Sequence, residues 1–223
     1  MGTRISFSRP DGKKAEGYLA KAAQASAPGI VVIQEWWGLQ DQIKGICDRL
    51  ALAGYEALAP DLYSGVVVPY HDREAAGKEM NSLNFMDAVD QTVRGAAQYL
   101  KRTAHKVGLT GFCLGGAITT LGAQRIPEIS AAVAFYGIPP EDAVDPAKLS
   151  IPYQGHFSNN DDFFTPDAVR KLEAALKAAG KSPQIFFYDA GHAFMNEQRE
   201  VHDREAADVA WDRMMKFWKK HVG

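Results

Sequence analysis

Cysteine is scarce in this chain: only Cys47 and Cys113 occur among 223 residues. That argues against a disulfide framework and for a reducing, cytoplasmic setting in which a free thiol survives. Charge of one sign is lacking as well. A formal net charge of −2 gives neither nucleic acid nor an anionic membrane a field to bind. No apolar run approaches the roughly 20 residues of a membrane helix. The opening residues, Met1-Gly2-Thr3-Arg4-Ile5-Ser6, lack the apolar core of a secretion signal. His71, His156, His202 and His221 show no metal-ligand spacing with carboxylates or cysteines, so no metal is expected. Repeats and linkers are missing too. What remains, at 46% hydrophobic and 23% charged residues, suits one α/β domain over residues 1–223 with a sizeable core.

The strand and helix signals alternate. Ile5-Ser6-Phe7 and Gly17-Tyr18-Leu19-Ala20, separated by Pro10-Asp11-Gly12, predict an antiparallel N-terminal hairpin. Strands are expected at Gly29–Gln34, Tyr55–Ala59, Val107–Thr110, Ala131–Tyr136, Ile151–Phe157 and Gln184–Tyr188. The first of these is continuously apolar, as in a parallel sheet covered on both faces. Helical spacing predicts Gln42–Ala53, Phe85–Lys101 (capped by Asn84, with Met86 on its apolar face), Ala117–Gln124, Pro166–Ala179 and Arg204–His221. Leu62–Leu83 reads as a loop with a short helix over the site, and Pro139–Ser150 as a surface connection. The expected fold is a mostly parallel, doubly wound α/β sheet.

The chemistry concentrates in Gly111-Phe112-Cys113-Leu114-Gly115-Gly116. A cysteine flanked by glycines, between a strand and a helix, is the setting of a nucleophile elbow, the sharp turn of α/β-hydrolases, here with Cys in place of Ser. The glycines leave room for the turn and for close backbone packing. A helix N-terminus favours a thiolate. Downstream lie Asp161 and Asp162 after one strand and Gly191-His192 after another. Nucleophile, carboxylate, histidine is the α/β-hydrolase order, each just past a strand's carboxyl end. Spacing back from Pro166 favours Asp162, and both carboxylates stay open at this point. Asp189 reads as support for the turn before His192, and Cys47 as core.

These segments resemble the dienelactone hydrolase family. The resemblance runs through Gln34-Glu35-Trp36-Trp37-Gly38-Leu39, Pro60-Asp61-Leu62-Tyr63, the elbow, the Asp161 region and Gly191-His192-Ala193-Phe194-Met195-Asn196. It implies cleavage of dienelactones in the breakdown of (chloro)aromatic compounds through catechols, with neither metal nor organic cofactor. It implies Cys113 as nucleophile, His192 as base, Asp161 as its orienter, and the Trp36 and Leu114 N–H groups as an oxyanion hole. Glu35 is implied to pair with the resting thiol and release it when substrate binds, and Trp37 to line the pocket. Of the two arginines that hold the substrate carboxylate, Arg73 fits the first. Asn196 stands where the second belongs and is counted with Arg73 and Trp37 among the substrate-binding residues, with Arg199 the nearby alternative. The substrate is therefore expected to differ from the family's namesake.

The expected partner is a small lactone or ester, and the expected state a monomer or weak dimer. A general carboxylesterase or thioesterase, an idle binding protein and a redox thiol are the competing readings. The last lacks a second cysteine placed to resolve a sulfenic acid.

Overall fold

The computed structural model describes residues 1–223. Eight strands form one sheet in the order β1-β2-β4-β3-β5-β6-β7-β8: β1 (Thr3–Ser8), β2 (Lys14–Ala20), β3 (Gly29–Ile33), β4 (Glu56–Pro60), β5 (Val107–Phe112), β6 (Ala131–Phe135), β7 (Tyr153–Asn160) and β8 (Gln184–Gly191). β1 and β2 form the antiparallel hairpin, and β2 runs antiparallel to β4. The remaining pairings are parallel.

Helices α1 (Asp41–Leu52) and α7 (Arg204–His221) cover one face; α4 (Arg94–Lys101), α5 (Leu114–Arg125) and α6 (Pro166–Ala178) cover the other. The period of two along β3 divides its residues between them. Ile30 and Val32 pack with α1 and α7, while Val31 and Ile33 pack with α4 and α5. Every residue of β3, β5 and β6 is buried, which is why these strands read as unbroken apolar runs.

From β3 the chain crosses to β4 on one side and later returns to β5 on the other. The strand order reverses there, and a crevice opens past the carboxyl ends of β3 and β5. No helix is long and apolar enough to cross a membrane.

The short helix expected between Leu62 and Leu83 is α2 (Arg73–Ser82), ten residues long, whose first turn is capped by Asp72 accepting from the Ala75 N–H. Three departures from the sequence reading carry weight for the site. The helix expected at Phe85–Lys101 is divided into α3 (Phe85–Asp87), a π-wound turn at Ala88–Val93, and α4. The wider turn keeps Val89, Val93, Ala96 and Leu100 on one buried face, and Met86 is left exposed. α5 begins at Leu114, directly behind Cys113, not at Ala117. β7 and β8 each run three residues further than expected, to Asn160 and Gly191, and so deliver Asp161 and His192 to the crevice.

Candidate active site

Cys113 sits on the bend between β5 and α5 with φ 55° and ψ −114°, a backbone conformation that only a closely fitted surrounding maintains. Its N–H donates to the Phe135 carbonyl at 3.0 Å, and its own carbonyl accepts from the Gly116 and Ala117 N–H groups. The two expected glycines are needed for space. A Cβ at Gly111 would collide with the Gly115 carbonyl, and one at Gly115 with the carbonyls of Ile33 and Gln34. The bend is pressed against β3, so only the sulfur points outward, half-buried, into a cavity of about 620 Å³.

His192 follows β8 and reaches the same cavity. Its Nδ1 lies 2.8 Å from Asp161 Oδ2. The other oxygen, Asp161 Oδ1, accepts from the N–H groups of Phe163 at 2.9 Å and Phe164 at 3.0 Å. Asp161 is thus buried and held on both sides, whereas Asp162 is exposed on the cavity wall. Burial works against a charge on His192. The bonds to Asp161 and to the Cys113 sulfur outweigh it, and its pKa is pushed up to about 10. With Nδ1 committed to Asp161, Nε2 is the atom left for the sulfur. Asp189 accepts from the Asn160 amide at 3.2 Å and so supports the turn beside the site.

Glu35 departs from expectation. It is buried past the end of β3, and its oxygens accept from the Tyr136 hydroxyl at 3.1 Å and the Asn196 amide at 2.9 Å. Burial raises its pKa, opposed by Asn196, His192, Tyr136 and Arg199. The resting pair of Glu35 with the thiol is not what the structure shows: two neutral donors occupy Glu35, and the sulfur keeps company with His192. Asn196 is corrected with it. Its side chain is fully buried behind Glu35, bonded also to the Tyr70 hydroxyl at 3.4 Å and the Gln198 N–H at 3.1 Å, and does not line the cavity.

Arg199 does line it, as do Arg73, Trp36 and Trp37. The Arg199 guanidinium lies 5.4 Å from the Trp37 ring centre and 5.8 Å from that of Tyr70. Arg73 lies 5.8 Å from the Phe163 ring centre. Both cations lie over aromatic faces, and neither forms an ion pair with a carboxylate. The sequence reading missed Tyr136, Tyr70, Phe163 and Phe164. Tyr136 stands just past β6, next to the elbow strand, a position that strand order would have flagged; the other three lie in irregular stretches with no periodic signal.

The profile of the dienelactone hydrolase family matches residues 15–222. The chain is 34% identical to "Putative carboxymethylenebutenolidase" of Aquifex aeolicus and 36% identical to "Protein usf" of Aquifex pyrophilus, covering all of both proteins and all of itself. Among solved structures, "Putative Dienelactone Hydrolase" from Klebsiella pneumoniae superimposes with a TM-score of 0.84 at 30% identity, over 98% of this chain and 99% of that one.

Proposed function

The chain belongs to the dienelactone hydrolase family, hydrolases of lactones or esters, and on that premise we propose that it works through a thioester on Cys113. The carrying observation is the line from Asp161 through His192 to a half-buried sulfur at a cavity mouth.

The Cys113 thiol passes its proton to His192 Nε2 as the sulfur attacks the substrate carbonyl, and the carbonyl electron pair moves onto the oxygen. Leu114 is the first residue of α5, so its N–H has no intrahelical acceptor and serves the oxyanion together with the Trp36 N–H. As the tetrahedral adduct collapses, the bond to the leaving oxygen breaks and His192 Nε2 supplies its proton. A water, deprotonated by His192, then opens the thioester and restores the thiol. Asp161 keeps the ring in the working tautomer and holds its charged form.

A substrate carboxylate is held by Arg73 and Arg199, the latter taking the place that Asn196 vacates. A dienelactone meets these requirements, and its enolate leaves readily. A general carboxylesterase is the second reading, supported by the engagement of Asn196 with Glu35 instead of substrate. Comparing kcat/KM for cis-dienelactone and p-nitrophenyl acetate separates the two, and a clear preference for the acetate selects the second. Cys113→Ala is expected to lose at least about 10³-fold in kcat with either substrate, and mass spectrometry of the wild type with a slow ester should show an acyl group on Cys113. Undiminished turnover in Cys113→Ala sinks the thioester.

A further inference from the structure

The catalytic cavity has a neighbour. A second cleft, of about 640 Å³, shares with it the wall formed by Ile138, Pro140, Phe163 and Phe164. Beyond the wall it is bounded by Val144 and by one stripe of α6, Ala168, Leu172 and Ala175, at the i, i+4, i+7 spacing of a helical face. α6 already buries Val169, Leu172 and Leu176 in the core, so a stripe running through Ala168 and Ala175 is apolar surface beyond what the fold requires. Only Glu141 and Lys171 bring charge to this cleft. On the shared wall, Phe163 keeps 59% of its surface exposed, a large aromatic side chain left in water within ring contact of His192.

We propose that the substrates of this site carry a hydrocarbon or aryl acyl arm that crosses the Phe163–Phe164 wall and lies in this second cleft. The proposal rests on the second, general-carboxylesterase reading above and narrows it to esters whose acyl part is larger than a simple lactone ring. The catalytic cavity alone has the volume of a small-ligand pocket. A second cleft of similar size, mostly apolar and sharing four residues with the first, gives an acyl chain an apolar path away from the cations at Arg73 and Arg199. The arm would cover the phenyl ring of Phe163, and each buried methylene would add roughly threefold to fourfold in binding.

The test uses p-nitrophenyl acetate, butyrate, hexanoate and octanoate, below micelle-forming concentrations, with wild type, Ala168→Trp and Ala175→Phe. In the wild type, kcat/KM is expected to climb about threefold per methylene before levelling off. The octanoate-to-acetate ratio should fall at least tenfold in either filled variant; the second guards against misfolding of the first. Calorimetry of octanoate and acetate binding to Cys113→Ala reads the cleft without any chemistry. Tighter octanoate binding that Ala168→Trp removes supports the arm, even if no ester is hydrolysed, an outcome that would instead defeat the hydrolase reading. A wild type that prefers acetate overturns the proposal, as does a length preference that both filled variants retain. So does a dimer that sedimentation shows to dissociate in Ala168→Trp, which would assign the cleft to a second copy of the chain.

Discussion

Two histidines belong to adjoining strands, His156 within β7 and His192 just past the end of β8, and they end in opposite states. His156, on β7, is fully buried between the rings of Phe135 and Phe186, with centres 4.6 and 5.5 Å away. Its Nε2 meets Gln154 Oε1 at 2.8 Å, an atom that can only accept, so Nδ1 is left to accept from the Tyr188 hydroxyl at 2.7 Å. Burial, aided by Arg213, lowers its pKa to about 3. His192 is also desolvated, though it opens onto the cavity, yet its pKa rises to about 10 because a carboxylate and a sulfur face it. Partners decide the charge, and burial alone does not. A ring satisfied by neutral groups is part of the core; a ring held by an anion is ready for proton transfer.

The largest change should come from making the second ring more like the first. Asp161→Asn removes the anion and is expected to cost about 10³-fold in kcat; NMR titration of the ring should show its pKa falling from about 10. A kcat within tenfold of wild type would remove Asp161 from the mechanism. The two rings also give opposite pH signs to stability. The elevated pKa of His192 makes a contribution complete below about pH 6.5, its unfolded value, and lost as pH rises toward about 10. The depressed pKa of His156 makes one present above about 6.5 and lost as pH falls toward about 3. His156→Phe should cost about 2–4 kcal/mol at neutral pH, because the Tyr188 hydroxyl and Gln154 lose their partner, and should flatten the acid limb of a urea-melt series. An unchanged acid limb would show that other groups set it.

Smaller effects sharpen the contrast around Glu35. Asn196→Ala strips a donor from a buried carboxylate and is expected to destabilise by about 1–3 kcal/mol in urea melts. Rapid alkylation of Cys113 by iodoacetamide should persist in wild type, where Glu35 is already occupied; a thiol inert until substrate arrives would reinstate the guarding role. The smallest effect is expected from Arg199→Ala, roughly tenfold in KM for a carboxylate-bearing ester and little for a neutral one.

Much of this was legible in the chain. The unbroken apolar runs of β3, β5 and β6 were visible because both faces of those strands are covered. The glycines around Cys113 were visible because the elbow has no space for a side chain. Asp161 and Asp162 could not be separated by counting; folding places Asp161, held by the Phe163 and Phe164 amides, within 2.8 Å of His192 Nδ1. Asn196 was misread for a related reason. Its distance along the chain from His192 located the turn, while its partners, Glu35 and Tyr70, come from segments more than 120 residues earlier. The division of the helix at Ala88–Val93 left no mark that the 3.6-residue period would detect.

The grip of the Phe163 and Phe164 amides on Asp161 Oδ1 has one more effect. The same two residues that shape the cavity wall also anchor Asp161, so on the mechanism proposed above a molecule leaning on either phenyl ring bears directly on the Asp161–His192 pair. A guest that fits leaves the pair in line, and a bulky misfit skews it. Selectivity here would accordingly register as slower turnover of poor substrates, more than as their exclusion at the door.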